Sequence, residues 1–171
     1  FQLKNIVLKN SSLNYSDFRH NLDLPKGVMN TARLRLKNIN ARINVDIIRK
    51  DTLSAEISKL TFTEMSGFKI ENVAAKINGS GSKFKIPTIK INLPASEIDF
   101  ADVNLQEDTI TGLDTTFRKL NWSAPLKSSK LSFSDFAAFI PEFKNIEGYA
   151  SVSGNFSGKF SSIRLKDLEI K

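Results

Sequence analysis

Side chains able to do acid–base or metal chemistry are scarce in this sequence. The 171 residues include a single histidine, His20, which follows Arg19, and no cysteine. Metal sites and nucleophilic catalysis need several such groups held together, and the chain offers no thiolate or second histidine to join His20. We therefore interpret His20 as an ordinary surface residue and predict neither a metal site nor a cofactor.

Carboxylates do cluster, at Glu97, Asp99 and Asp102 and again at residues 107–108. Glu97 and Asp99 flank the apolar Ile98, and this alternation places both carboxylates on the solvent side of a strand. Acid–base catalysis by a carboxylate pair requires a cleft that shifts the pKa of one partner. Nothing in the pattern indicates such a cleft, so the sequence predicts a protein that is not an enzyme.

The net charge of +7 invites a nucleic-acid or anionic-membrane interpretation. Many lysines, however, stand between apolar residues of alternating segments: Lys4, Lys37, Lys69, Lys85, Lys90 and Lys166. A nucleic-acid surface would instead combine clustered arginines with interleaved aromatic residues. We interpret these lysines as the solvent-facing side of strands, where lysine also hinders unwanted edge pairing, and predict no nucleic-acid partner.

One spacing of apolar residues recurs six times and is the most informative feature of the sequence. Each copy has apolar residues at relative positions 0, 2, 5 and 7. The copies are Phe1, Leu3, Ile6 and Leu8; Leu34, Leu36, Ile39 and Ala41; Ala55, Ile57, Leu60 and Phe62; Phe68, Ile70, Val73 and Ala75; Phe84, Ile86, Ile89 and Ile91; and Ile163, Leu165, Leu168 and Ile170. Alternation within each pair is typical of a strand with one buried face.

The two-residue gap inside each copy predicts a bend. In an uninterrupted strand the two apolar pairs would face opposite sides, because side chains alternate with a period of two. One extra residue, a β-bulge, returns both pairs to the same face and bends the strand. The clearest example is a central hairpin, in which residues 68–77 and 84–93 flank a turn at residues 78–82.

Strand-like segments follow one another through short polar connections, which favours antiparallel pairing of neighbours in a meander. We therefore predict an all-β fold of about nine strands, an antiparallel meander of long bent strands curved into an open apolar groove. Residues 12–18 are predicted to form a separate strand after the first one, across a polar turn. Residues 101–116 are acidic, and their pattern is ambiguous.

A single segment departs from the strand pattern. Ser134 is a candidate helix N-cap, and Phe136, Phe139 and Ile140 follow at helical spacing before Pro141 interrupts the pattern. We predict one short helical insert at residues 134–144. Because the sequence begins inside a strand-like repeat, we expect residues 1–171 to be a single segment of a longer protein.

The apolar face of the bent strands is the candidate functional site. Consistent curvature without closure would give a trough whose floor is lined by isoleucine, leucine and phenylalanine, a surface suited to acyl chains. The predicted lipid-binding floor comprises Leu34, Leu36, Ile39, Ile57, Leu60, Phe62, Phe68, Ile70, Val73, Phe84, Ile86, Ile89 and Ile91. The competing interpretation is the core of a closed sandwich or barrel, for example an adhesin-like domain.

Several segments carry a family resemblance. They are residues 1–15, which begin Phe-x-Leu-x-Asn-Ile; residues 64–70; residues 93–98; residues 131–141; and residues 152–168. These segments resemble the TamB family, the inner-membrane-anchored subunits of the translocation and assembly module, and more distantly the AsmA-like family. The similarity spans most of the chain and falls on an internal segment of such proteins.

The resemblance implies a β-sheet groove in the periplasm of a diderm bacterium, in a protein anchored in the inner membrane. It further implies transport of phospholipids between the two membranes and outer-membrane biogenesis. The partners implied are phospholipid acyl chains, an outer-membrane barrel protein and adjacent segments of the same chain. An alternative function is that of a chaperone-like scaffold which accepts β-strands of outer-membrane protein clients at a sheet edge or in the trough.

Overall fold

The computed structural model describes residues 4–18, 24–49, 52–106, 120–159 and 162–171. These residues form one antiparallel sheet of ten strands. The strands are β1 (Asn5–Ser16), β2 (Arg33–Arg49), β3 (Thr52–Glu64), β4 (Lys69–Ile70), β5 (Asn72–Ser80), β6 (Lys83–Asn92), β7 (Glu97–Gln106), β8 (Asn121–Ser132), β9 (Tyr149–Lys159) and β10 (Ser162–Ile170).

Each strand pairs with its neighbour in the sequence, in the order β1-β2-β3-β5-β6-β7-β8-β9-β10, while the two-residue β4 pairs with β3. The sheet is not closed, and β1 and β10 are its two edges. The predicted all-β open meander is therefore confirmed, with ten strands rather than nine. The alternative of a closed sandwich or barrel is wrong.

Bends occur in the structure at predicted gaps, including those that contain Asn38 and Asp167. They also occur at Asn10 and Asp102, where the six copies predict none, and these four bends share one backbone conformation. Asn10, Asn38, Asp102 and Asp167 have φ values of 45°, 54°, 48° and 53°. Each of the last three is the second residue of a 0-2-5-7 gap. Asn and Asp adopt this left-handed conformation more readily than other side chains, because their short polar groups reduce its cost. The register shifts next to Asn10, Asn38 and Asp167 show the extra residue of a bulge.

The bends keep the apolar face continuous. Ile86 and Ile89 lie on either side of the gap in β6, yet both belong to one hydrophobic cluster. Their partners across the strand pair, Val103 and Phe100, belong to the same cluster. An extra residue in each of two neighbouring strands therefore bends the sheet without turning any of these apolar side chains outward.

The helical prediction needs correction. Two short 3-10 helices, Phe133–Phe136 and Pro141–Asn145, replace the single helix expected at residues 134–144. Ser134 is inside the first of them rather than its N-cap, because that helix begins directly where β8 ends at Ser132. Pro141 occupies the first turn of the second helix, a position in which its missing N–H is not needed.

Two predicted strands are longer in the structure than the sequence indicates. β1 continues through Asn10 to Ser16, so no turn separates residues 12–16 from the first strand. β7 extends through Ala101 to Gln106, which resolves the first part of the ambiguous acidic segment. Phe1, His20 and residues 107–119 lie outside the described residues.

The sheet has a shallow core. Ala75, Ile86, Val103 and Ala124, contributed by four neighbouring strands, form its most buried cluster. The largest side chains less than 2% exposed are nevertheless two serines, Ser96 and Ser129. A sealed domain of this size would bury leucine, isoleucine and phenylalanine completely. The apolar face is therefore covered only in part by the described residues.

Candidate functional site

The apolar face of the sheet forms a continuous trough. Strand register places Ile43 opposite Ile57, Ile57 opposite Ala75, Ala75 opposite Ile89 and Ile89 opposite Phe100. Residues directly opposite one another in antiparallel strands point to the same side. This row therefore crosses five strands without a polar interruption.

The structure brings the predicted floor residues together on this face. Ile70 and Ile86 are buried, and the others are half-buried: Leu34, Leu36, Ile39, Ile57, Leu60, Phe62, Phe68, Val73, Phe84, Ile89 and Ile91. Partial burial is the expected state of a floor whose side chains pack against their neighbours within the sheet and are open above. Phe68 lies just before β4, and the remaining residues lie within strands.

The predicted floor does not extend to β7 and β8, although strand alternation already predicts that Ile98 and Phe100 face inward. Ile98, Phe100, Val103 and Leu105 form a seventh copy of the 0-2-5-7 spacing, with Asp102 in its gap. This copy was recognisable from the spacing but was obscured by the acidic residues around it. In β8 the same spacing is harder to recognise, because one of its four positions is occupied by Ser129 and not by an apolar residue. Ser129 is only 1% exposed.

The trough has two different ends. At the hairpin end, where β2 turns into β3 and β5 into β6, a cavity of about 550 Å³ lies over the sheet. Its apolar lining is Ile47, Leu53, Phe84 and Leu105. The ring of Phe84 covers Gly79 so closely that a Cβ at this glycine would overlap the ring. All the described lining of this end belongs to strands and their turns.

At the opposite end, the insert end, residues 133–145 fold back over the trough. Phe139 packs edge-on against Phe68, with ring centroids 5.0 Å apart, and Phe133 packs in the same way against Phe143, at 5.2 Å. The amide of Met29 donates a hydrogen bond to the Ala138 carbonyl oxygen (2.7 Å). Residues 133–145, the aromatic insert, thus cover part of the apolar face next to β8, β9 and β4.

A polar network fixes the aromatic insert to the sheet. The Asp135 carboxylate accepts hydrogen bonds from the Ser96 hydroxyl (2.6 Å) and from the Ala95 amide (2.9 Å). The Ser96 oxygen in turn accepts one from the Ser132 amide (2.8 Å). Because Ser96 is only 1% exposed, its hydroxyl depends on Asp135 for an acceptor.

A second carboxylate at the insert end is buried at the last residue of β3. Glu64 is 4% exposed, and it accepts hydrogen bonds from the amides of Ser66 (2.7 Å) and Arg35 (3.3 Å). Burial alone would raise the pKa of Glu64, but hydrogen bonds from Ser66 and from the amides of Arg35 and Met65 outweigh it. The pKa of Glu64 is therefore lowered from its ordinary value.

The outer face of the sheet carries the charge. Lys4, Lys37, Lys69, Lys85, Lys90 and Lys166 are all exposed, as their alternation with apolar residues predicts. Lys69 pairs with Glu71 (2.8 Å) and Lys85 with Asp102 (3.5 Å), both at the surface. Within the described residues no group of three or more potential metal ligands occurs, and no helix has the length and apolarity needed to cross a membrane.

Comparison with known proteins gives no match: no protein-family model, no curated protein and no solved structure is significantly similar to this chain. The geometry of the trough is therefore the basis for any functional assignment.

Proposed function

We propose that this chain is a non-enzymatic segment of a lipid conduit that binds phospholipid acyl chains along its apolar trough. The observation that carries the proposal is an unclosed sheet with one continuous apolar face, on which Ile57, Ile89 and Phe100 remain half-buried. A soluble monomer rarely leaves so large an apolar surface without a partner for it.

The chemistry of the floor suits a ligand that slides. Burial of an acyl chain gains about 0.8 kcal/mol per methylene without any directional contact. The row from Ile43 to Phe100 offers no hydrogen-bonding side chain that would hold a ligand at one position. Such a floor would accept acyl chains irrespective of the head group and let them move along the trough.

The setting that we propose follows the resemblance to the TamB and AsmA-like families. The segment would lie in the periplasm within a protein anchored in the inner membrane, and would serve phospholipid transport to the outer membrane and outer-membrane biogenesis. Adjacent segments of the same chain would extend the trough at β1 and β10. The end of the extended trough farthest from the inner membrane would contact an outer-membrane barrel protein.

The test places a charge on the floor. Ile89→Asp puts a carboxylate between Ala75 and Phe100, where an acyl chain would pass. Phospholipid that co-purifies with the wild-type chain should be detected by native mass spectrometry. In Ile89→Asp we expect it to fall about tenfold, since loss of about 1.4 kcal/mol of binding has this effect. The chain should still fold, because water reaches the carboxylate in an open trough.

A matched control lies next to Ile89. Thr88 is exposed and lies opposite Ala101, so Thr88→Asp adds the same charge outside the trough. Lys90→Asp is a poorer control, because Lys90 lies opposite Asp99 and the variant would place two carboxylates together. Equal lipid content in folded Ile89→Asp and Thr88→Asp would contradict the conduit.

The free edges of the sheet favour a second candidate function. Every residue of β10 is exposed, and Ile163 and Ile170 are 61% and 63% exposed. An edge with unpaired backbone groups and apolar side chains can accept an added strand. The module would then act as a chaperone-like scaffold for strands of outer-membrane protein clients.

Site-specific crosslinking separates the two candidates. A photocrosslinker at Ile163 should capture client peptides if the scaffold function is correct, whereas one at the outward-facing Lys85 should not. A lipid conduit predicts lipid adducts at Ile89 and no client adduct at Ile163 or Lys85.

A further inference from the structure

A distinct apolar pocket lies between the aromatic insert and the wall of the trough. Its volume is about 330 Å³, and its lining shares no residue with the cavity at the hairpin end. The lining is Leu131, Ser132, Phe133, Phe136, Phe139, Ile140, Phe143, Ala150, Val152 and Ile170. This volume is within the usual range of small-molecule sites and about twice that of an engineered cavity that binds benzene.

The pocket is not filled by the described part of the chain. Phe139, Ile140 and Ile170 are 47%, 42% and 63% exposed, which is unusual for three large apolar residues that line one concave site. Apolar side chains of this size are normally covered. A ligand in the pocket would cover part of all three.

The lining determines which ligand fits. Among the described residues, Ser132 is the only polar one in this lining. Its hydroxyl already contacts Ser134 Oγ (3.0 Å) and the Gly148 carbonyl oxygen (3.4 Å). A peptide inside the pocket would bring amide and carbonyl groups for which these side chains offer no partner, at a high desolvation cost. A saturated hydrocarbon chain has no such groups.

We infer that this pocket, formed by residues 133–143 over β8, β9 and β10, is a discrete binding site for a single acyl chain at the insert end of the trough. The inference rests on the proposed function and adds a fixed site to it. On the open floor a chain slides, whereas in this pocket aromatic rings from the insert and aliphatic side chains from the strands enclose it on two sides.

A photoreactive fatty acid with a diazirine near its methyl end tests the inference on the intact chain. After illumination, we expect adducts on residues 133–145 and around Val152. Ala150→Trp should fill the pocket and reduce these adducts at least tenfold. Ser153→Trp, on the same strand but facing the opposite side, should leave them unchanged. A second variant, Ile140→Lys, alters a residue that is 42% exposed, so folding should tolerate the charge.

The outcomes separate this site from the proposed function. Adducts that persist at residues 133–145 in folded Ala150→Trp and Ile140→Lys would contradict the assignment of the pocket as an acyl-chain site. Labelling confined to the floor around Ile89 also overturns the pocket, and in that case the conduit still stands. A wild-type chain that takes up no fatty acid at all overturns both. If an added strand-forming peptide displaces the probe from Val152, the pocket is a protein contact and the inference is wrong.

Discussion

The two ends of the trough are built from the same strands but are finished differently. At the hairpin end, a short turn joins β5 to β6, and the Phe84 ring of β6 lies over Gly79 of β5. At the insert end, the chain leaves the sheet after β8 and returns over the apolar face, where Asp135 and Ser96 hold it. The hairpin end thus depends on apolar packing, whereas the insert end combines aromatic packing with directional polar contacts.

This difference bears on how a ligand would meet the trough. A single layer of strands gains its stability from cross-strand pairs and partial burial, so its ends are the regions most able to open. A segment outside the strands, held by a few hydrogen bonds and ring contacts, can release as a unit, whereas a turn between two paired strands cannot do so without breaking the strand pairing. The insert end is therefore the part of the trough whose cover can be altered with the sheet left intact.

The largest effect is expected from the carboxylate that holds the insert. Asp135→Ala removes the acceptor for the Ala95 amide and leaves the buried Ser96 hydroxyl with no acceptor for its proton. Hydrogen bonds to a charged group contribute about 1.5–3 kcal/mol each, so we expect a loss of about 3 kcal/mol in the free energy of unfolding, measured by chemical denaturation.

Glu142→Ala provides the control for this prediction. Glu142 is exposed on the same insert, and its removal should change stability by less than about 0.5 kcal/mol. Hydrogen exchange should show that Asp135→Ala loosens residues 133–145 more than β5 and β6. Uniform loosening of both ends would contradict the distinction between them.

The hairpin end is tested by adding one methyl group. Gly79→Ala would push its Cβ into the ring of Phe84, and overpacking of this kind costs about 1–3 kcal/mol. We expect a loss of about 2 kcal/mol in the free energy of unfolding, with no effect on exchange at residues 133–145. Ser80→Ala, at the exposed next position, is the control.

A double variant identifies the cause. If the Phe84 ring is responsible, the double variant Gly79→Ala, Phe84→Leu should lose less free energy of unfolding than the sum of the losses in the two single variants. The two residues share one contact, so their effects should not add. Additive losses would mean that position 79 requires glycine because of its backbone conformation and not because of the space that the Phe84 ring occupies.

Most of the fold was predictable because it follows from one local rule. The 0-2-5-7 spacing fixes the strand, its bend and its apolar face together, so the open meander and the floor from Leu34 to Ile91 could be predicted from the sequence. The seventh copy, Ile98 to Leu105, obeys the same rule. An Asn or Asp in the gap is the additional signal that identifies it.

The insert end could not be predicted in the same way. Its cover depends on Phe139 meeting Phe68 and on Asp135 reaching Ser96, and these residues are far apart in the sequence. The apolar spacing of residues 136–143 indicated a helix because aromatic side chains on two 3-10 turns follow a similar pattern. Tertiary contacts, not local propensity, decide the conformation there.

The bends lie between the two ends, and a smaller effect is expected at one of them. Asn38 has a φ of 54°, and a β-branched residue in this conformation costs about 1–2 kcal/mol. Asn38→Val should therefore lower the free energy of unfolding by about 1.5 kcal/mol, whereas Asn38→Gly should be nearly neutral. Equal effects of valine and glycine would show that the asparagine side chain, and not its backbone conformation, maintains the bend.

The smallest predicted effect is a pH dependence specific to the insert end. The pKa of Glu64 is lowered in the folded chain, so the folded state binds fewer protons than the unfolded state as this group titrates. The stability that Glu64 contributes is fully present above its unfolded pKa and is lost as pH falls through its folded pKa. Glu64→Gln removes this titration but keeps one acceptor oxygen for the amides of Ser66 and Arg35. We expect the variant to be less stable by about 1 kcal/mol at neutral pH, and the difference from wild type to shrink steadily as the solution is acidified below pH ~4.5.

Denaturation curves of wild type and Glu64→Gln from neutral to acidic pH measure this difference. The other carboxylates cancel in the comparison because both proteins carry them. A difference that stays constant with pH would mean that the amides around Glu64 hold the neutral acid as well as the carboxylate. The turn after β3 would then not depend on charge, and Asp135 would be the carboxylate whose charge holds the aromatic insert.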